Sequence, residues 1–289
     1  MWKTWVSCNL CGSRDLRFLF SAVRSGHQVV GCRHCGLMFY NPQPSPDQTA
    51  ALYSADYFAQ EFPEELAAEQ IQLAHRRLAR IEEEVGIGSL LDVGCGIGRF
   101  LFAARNRGWK AAGMDISPAA ASIARRTSGA QVFVGDLALP PPNGIPRFDI
   151  VTLWDVFEHL LDPVGDLGRV RRWLRPGGLI VIQTQNANGV TYAWMRRRWE
   201  QFVPYHLYHF SSRTLRVALE QAGFQQIRIE ASDRFPRDDP AAPGMPSTEN
   251  RPQRDLRATL RTLRDTAFVW AGYDPFNIMV ATARCQPEG

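Results

Sequence analysis

Leu90-Leu91-Asp92-Val93-Gly94-Cys95-Gly96-Ile97-Gly98 is the stretch that decides the fold. A short apolar strand runs into a G-x-G-x-G turn, and residues 99–107 then read as a helix. Glycines let the backbone approach a ligand closely at the carboxyl end of a strand. About 20 residues further on, where a ribose-binding acid is expected, Asp115 closes the next apolar run. The spacing departs from the dinucleotide form G-x-G-x-x-G, and an acid, Asp92, stands immediately before the turn.

Outward from this turn, strands and helices alternate. Strands are expected near 90–93, 111–116, 131–134, 148–154, 179–184, 227–230 and 277–283. Helices are expected near 99–107, 118–127, 164–174 and 211–222. Ahead of the turn, Ile71, Leu78, Ile81 and Val85 recur at helical spacing within residues 64–85. Such alternation implies an α/β, Rossmann-like, seven-stranded doubly wound parallel sheet.

The chain has 289 residues, 45% hydrophobic and 21% charged, which excludes a disordered, collagen-like or coiled-coil protein. No run approaches the ~18 apolar residues of a membrane span, and residues 1–8 lack an apolar signal core. A cytoplasmic protein with no membrane partner is expected. The net charge of +4, from 33 basic and 29 acidic residues, argues against a dedicated nucleic-acid binder.

Cys8-Asn9-Leu10-Cys11 and Cys32-Arg33-His34-Cys35 are two C-x2-C pairs in one short N-terminal segment. That spacing lets four thiolates close a tetrahedron around zinc, with no open position for a substrate. Gly12 and Gly36 follow the pairs, and residues 16–30 alternate as a hairpin would. A structural zinc on Cys8, Cys11, Cys32 and Cys35 is expected, with His34 on the surface. The Pro-rich run 41–46 reads as a linker. The expected division is a zinc ribbon and linker over 1–45 and an α/β domain over 46–289, with an insertion at about 234–270. Arg251, Arg254, Arg257, Arg261 and Arg264, beside Leu256, Leu260 and Leu263, give that insertion the look of a mobile cover or a homodimer element.

From about residue 66 to 285 the motifs together resemble the class I S-adenosylmethionine-dependent methyltransferases. The resemblance implies S-adenosyl-L-methionine as cofactor. It puts Asp92, Gly94, Cys95, Gly96 and Gly98 in the first motif and Asp115 and Ile116 in the second, with Asp115 on the ribose. Gly135-Asp136-Leu137 looks like the adenine motif, with Asp136 on the exocyclic amine, and Phe148-Asp149 through Trp154 to Leu160 looks like the fourth. Leu174-Arg175-Pro176-Gly177-Gly178 matches the turn that follows. The ribbon and Cys35-Gly36-Leu37-Met38-Phe39-Tyr40-Asn41-Pro42 resemble a bacterial subgroup acting in sugar, polysaccharide and natural-product pathways.

The methyl acceptor should lie over the carboxyl end of the fourth strand, near Asp155, Glu158 and His159, with His206 and His209 brought in from Pro204-Tyr205-His206-Leu207-Tyr208-His209. Three readings stand. His159 or His206 is a general base; or Glu158, His159 and His206 hold a divalent metal that lowers the pKa of an acceptor hydroxyl; or the Glu-His pair only orders its loop. The metal pattern resembles ubiquinone-pathway O-methyltransferases and small-RNA 3′-terminal methyltransferases. The basic-aromatic run Trp194-Met195-Arg196-Arg197-Arg198-Trp199 reads as a substrate lid or as an exposed turn. The leading expectation is O-methylation of a small molecule in a secondary-metabolite or saccharide pathway. The alternatives are a nucleic-acid-modifying enzyme and C- or N-methylation of a sugar or other metabolite.

Overall fold

The computed structural model describes residues 2–52, 64–141, 146–232 and 270–286. Leu16–Ser21 (β1) and Gln28–Cys32 (β2) form the expected hairpin, and Met38–Tyr40 (β3) adds antiparallel to β2. Pro46–Leu52 (α1) and Ala67–Val85 (α2) follow; α2 buries Ala74, Leu78 and Ile81 and stops at Gly86, whose φ of 70° suits glycine. Then come Ser89–Val93 (β4), Arg99–Asn106 (α3), Lys110–Asp115 (β5), Pro118–Ser128 (α4) and Gln131–Val134 (β6). The chain continues through Phe148–Trp154 (β7), Pro163–Trp173 (α5), Leu174–Gln185 (β8) and Val190–Met195 (α6). Tyr208–His209 (β9), Ser212–Gln221 (α7), Phe224–Ala231 (β10) and Ile278–Cys285 (β11) complete it. Local chemistry starts the helices: Ser117 accepts from Ala120 N ahead of Pro118, Asp162 from Gly165 N ahead of Pro163, and Ser211 and Thr214 form a capping box.

The large sheet has the order β10-β11-β8-β7-β4-β5-β6. Both faces are covered, so its central strands read as continuous apolar runs. In β8, Ile180 and Ile182 pack on one face while Leu179 and Val181 pack on the other. The sheet departs from the all-parallel expectation at one strand. β11 runs antiparallel to both β8 and β10. An antiparallel neighbour needs only a return at the same end of the sheet, whereas a parallel one needs a crossover across its face. The expected insertion at 234–270 lies outside the described residues except at its last residue.

The ribbon is not a separate bead on a linker. Its sheet has a fourth strand, β9, taken from beyond the α/β core, with Met38 opposite His209 and Phe39 opposite Tyr208. Asn9 in the first knuckle donates to Asp162 Oδ1 at 2.8 Å and accepts from Val164 N at 2.9 Å, gripping the start of α5. Tyr40, Tyr192, Trp199 and Phe202 make a shared aromatic core between the two parts. The supposed linker is ordered for the same reason. Asn41 exchanges two hydrogen bonds with the Val6 backbone, and Gln43 pairs with Thr4. Proline removes donors, but side-chain amides and an edge pairing replace them here.

Candidate active site

β4 delivers the glycine turn to the carboxyl edge of the sheet. Gly94 has φ 68°, and a Cβ there would meet Val156 at 2.4 Å, so both conformation and space demand glycine. The N–H groups of Gly94 and Cys95 donate to Met114 O, which holds the turn against β5. Asp115, at the end of β5, accepts from Gly96 N at 2.8 Å and from Ser117 N at 2.9 Å. Each carboxylate oxygen is thereby oriented and keeps a second lone pair for a ligand hydroxyl. Asp92 is buried and accepts from Thr152 Oγ1 at 2.7 Å. Burial pushes its pKa up to about 7, against the pull of the Thr152 hydrogen bond and of Arg77.

These groups surround a cavity of about 520 Å³. Asp92, Gly94, Cys95, Gly96, Asp115, Ile116, Asp136, Leu137 and Trp154 all line it. Gly98 is not among the lining residues. It precedes α3 with φ 86°, and a Cβ there would strike the Ala124 backbone at 2.8 Å. Its service is close helix packing.

The second half of the site grows from β7. Asp155 leaves that strand with φ 55°, an uncommon conformation for a residue with a side chain. A single 3₁₀ turn, Phe157–His159, then points inward. Leu207 N donates to Glu158 O at 2.9 Å, drawing the segment that carries His206 alongside. One ligand atom each from Glu158, His159 and His206 lies within 4.8 Å of the others. His206 Nδ1 is 2.8 Å from Gln201 O. A carbonyl only accepts, so the neutral ring carries its proton on Nδ1 and keeps the Nε2 lone pair.

Burial dominates the electrostatics of this triad. It lowers His206 to about 4 and holds His159 well below the usual histidine range, with His206 adding to the effect on His159. It raises Glu158 to about 8, helped by the charge of Asp155. Glu158 Oε2 is buried without a hydrogen-bond partner. Two neutral imidazoles and a carboxyl group with an unsatisfied oxygen, which a bound cation would ionise, form a donor set that fits a divalent cation. A histidine held near 4 is a weak general base at neutral pH.

His209 is not part of this group. Its buried ring packs edge-on to Phe202 and Tyr40, in the shared aromatic core. The run 194–199 also lies elsewhere. Trp199 is buried beside Tyr192 and Phe202, and Arg196 donates to Tyr273 Oη. Neither cavity described here is lined by Arg196, Arg197 or Arg198.

A second cavity, of about 660 Å³, opens on the triad. It is rimmed by Arg24 of the ribbon, Glu200, Gln201, Gln183, Gln185 and Tyr205. Arg77, Asp155 and His159 line both cavities. Arg77, which the sequence reading passed over as one charge on an amphipathic helix, stacks over the Trp154 ring at 4.2 Å. Its Nε is buried without a partner. The one signal that could have found it is its helix, which immediately precedes β4, the strand that delivers the glycine turn.

The four ribbon cysteines converge as expected. Cys8 and Cys35 sulfurs are 3.4 Å apart, and Cys11 and Cys32 sulfurs 3.5 Å apart. Tetrahedral zinc with Zn–S near 2.3 Å places sulfurs about 3.8 Å apart, so the set fits zinc closely. Burial holds Cys8 well above the usual thiol range and lifts Cys35 to about 11, while the N–H groups of Cys35 and His34 overcome burial to bring Cys32 down to about 7. So crowded a set ionises together only around a cation. His34 is exposed and outside the cluster.

The family profile described as Methyltransferase domain matches residues 56–229. The chain belongs to the methyltransferase domain family. A ubiquinone biosynthesis O-methyltransferase of Alkalilimnicola ehrlichii is 34% identical over 111 residues, covering 36% of this chain and 44% of that protein. One from Pseudomonas paraeruginosa is 32% identical over 126 residues, covering 40% and 53%. The chain thus spans about half the length of the curated relatives it matches. Among solved structures, an S-adenosylmethionine-dependent methyltransferase of Thermotoga maritima superposes with TM-score 0.51 at 19% identity, covering 80% of this chain and 99% of that one. The plantazolicin methyltransferase BamL gives 0.51 at 16%, covering 82% and 93%. Both likenesses are of fold.

Two expectations follow if the first cavity holds the cofactor of this methyltransferase. Asp115→Ala should weaken S-adenosylmethionine by roughly 10- to 150-fold, the ~1.5–3 kcal/mol of a charge-assisted hydrogen bond; calorimetry showing unchanged affinity would remove the ribose assignment. Because Asp92 ionises near 7, raising the pH from 6 to 7.5 should tighten cationic S-adenosylmethionine relative to 5′-methylthioadenosine, which lacks the ammonium and sulfonium. Asp92→Asn should flatten that difference, and parallel pH profiles in the wild type would exclude Asp92 as the counter-charge.

Proposed function

We propose that this methyltransferase moves the methyl group of S-adenosylmethionine to a hydroxyl of a polar small molecule, in the cytoplasm. The observation that carries the reading is the convergence of Glu158, His159 and His206 within 4.8 Å on the second cavity, with His159 also lining the first. In the cofactor cavity, Asp115 takes the ribose, Asp136 and Leu137 flank the adenine, Asp92 faces the cationic end, and Arg77 takes the cofactor's carboxylate. The acceptor enters the second cavity with its hydroxyl toward the triad. Methyl transfer then needs chiefly a close, aligned approach, so positioning supplies much of the rate.

The triad fits a divalent cation better than a lone histidine base, because burial leaves both imidazoles weakly basic toward protons while their lone pairs stay open to a cation. Bound there, such an ion supplies Lewis acidity that lowers the pKa of an acceptor hydroxyl. Glu158 and the two histidines orient the hydroxyl, and the surrounding burial keeps bulk water from competing. The relatives named ubiquinone biosynthesis O-methyltransferases support oxygen as the acceptor atom. The amides and charges at the rim favour a hydroxyl-rich acceptor of the saccharide or secondary-metabolite kind over a long apolar one. No helix among the described residues is long and apolar enough to cross a membrane. All six cysteines are free, as a reducing compartment and a structural zinc in the ribbon require.

Purified protein should hold about one zinc, lost on Cys11→Ser or Cys35→Ser together with fold stability. A stable metal-free protein with those thiols free would end the ribbon assignment. His159→Ala and His206→Ala should each keep cofactor affinity and lose at least 100-fold in methyl transfer, read with isotope-labelled cofactor and product mass spectrometry. Chelator should abolish turnover and Mg²⁺, Mn²⁺ or Zn²⁺ restore it, with a far-UV spectrum confirming that the ribbon has survived. Turnover that survives chelation while both variants are dead would return the histidines to the role of base. Wild-type rates in both variants would place the acceptor chemistry elsewhere.

A further inference from the structure

Gln183 lies in β8 opposite Trp154 and is almost fully buried. Its side-chain oxygen accepts from Arg77 Nη2 at 2.7 Å and from Ser232 Oγ at 2.7 Å. Its side-chain nitrogen donates to Asp155 Oδ2 at 2.6 Å. Its backbone oxygen accepts from Asp155 N at 3.1 Å, which pins the left-handed turn at the end of β7. One neutral amide therefore stands between a cation and an anion that both border the cofactor and acceptor cavities. Burial lowers the Arg77 pKa, and the charges of Asp155 and then Asp92 oppose that shift.

A buried guanidinium and a nearby carboxylate with nothing between them close into a bidentate pair. An arginine closed in that way is a poor receptor for a ligand carboxylate. We propose that Gln183 is a positioning residue that keeps Arg77 and Asp155 from joining, so that Arg77 stays open to the cofactor's carboxylate. The amide's polarity does the separating. Its oxygen satisfies Arg77 without neutralising it, and its N–H satisfies Asp155 without protonating it. The proposal rests on the reading of Arg77 as the partner of the cofactor's carboxylate.

The test compares S-adenosylhomocysteine with 5′-methylthioadenosine, which lacks the carboxylate, by calorimetry on the zinc-loaded full chain. Gln183→Leu should bind S-adenosylhomocysteine at least tenfold more weakly and methylthioadenosine within twofold of wild type. Gln183→Glu, which is isosteric and pairs directly with Arg77, should do the same and covers the case in which the leucine variant folds poorly. Adding Asp155→Asn to Gln183→Leu should restore S-adenosylhomocysteine affinity to within threefold of Asp155→Asn alone, because the competing anion is gone. Equal losses for both ligands, no loss for either, or no recovery in the double variant would overturn the proposal. Arg77→Met separates the underlying reading. If it leaves S-adenosylhomocysteine affinity unchanged, Arg77 is not the carboxylate's partner and the proposal falls with it. If it weakens that affinity while both Gln183 variants do not, only the role of Gln183 is lost.

Discussion

Parallel pairing of β4 with β7 is the constraint on which the rest depends. Leu90 lies opposite Ile150 and Val93 opposite Leu153, so the two strands end side by side. β5 leaves on one flank of β4 and β8 lies beyond β7 on the other, which opens a crevice at the carboxyl edge. The glycine turn and the Asp155–His159 turn are neighbours because their strands are. The Thr152–Asp92 hydrogen bond is the same adjacency expressed by side chains. No residue of the crevice needs a loop of unusual length to arrive there.

That crevice gathers ionisable groups which the sheet and helices take out of water. Asp92, Glu158, Arg77 and two histidines are all displaced from their ordinary proton affinities, chiefly by burial. Desolvation of this size is unfavourable to the fold. It is what a site that handles a cationic donor and a weakly acidic acceptor requires, since fields act more strongly away from water. The unsatisfied atoms, Glu158 Oε2 and Arg77 Nε, belong to the same pattern. In the proposed reading they are donor and acceptor capacity held for ligands.

The strand-turn-helix signature and the period of the apolar runs made the sheet legible in the sequence, and nine of the ten positions named from it line the first cavity. Those signals are local. The two C-x2-C knuckles were legible for the same reason, and Glu158 and His159 because they follow β7 directly. Three things escaped. The direction of β11 depends on which edge the chain returns along. The distinction between Gly98 as a packing residue and Gly94 as a lining one depends on what stands opposite each missing Cβ. Arg77 and Gln183 each look unremarkable in their own element and acquire meaning only when α2, β7 and β8 are brought together. In the run 194–199 the sequence does not separate the exposed Trp194 from the buried Trp199, since only tertiary packing distinguishes them.

The pairing of β3 with β9 also ties the order of synthesis to the order of assembly. The knuckles and the hairpin are made first and have their metal ligands complete by Cys35. The strand that finishes their sheet, and with it the Tyr40 N to Leu207 O hydrogen bond, is made only after the chain has been synthesised through β8. Until then the hairpin carries an open edge and half of an aromatic core whose other half, Trp199 and Phe202, does not yet exist. Contacts this distant along the chain form late and slowly. The ribbon is thus a waiting template on the growing chain, and the arrival of Tyr208 and His209 closes it and sets His206 beside Glu158 in one step.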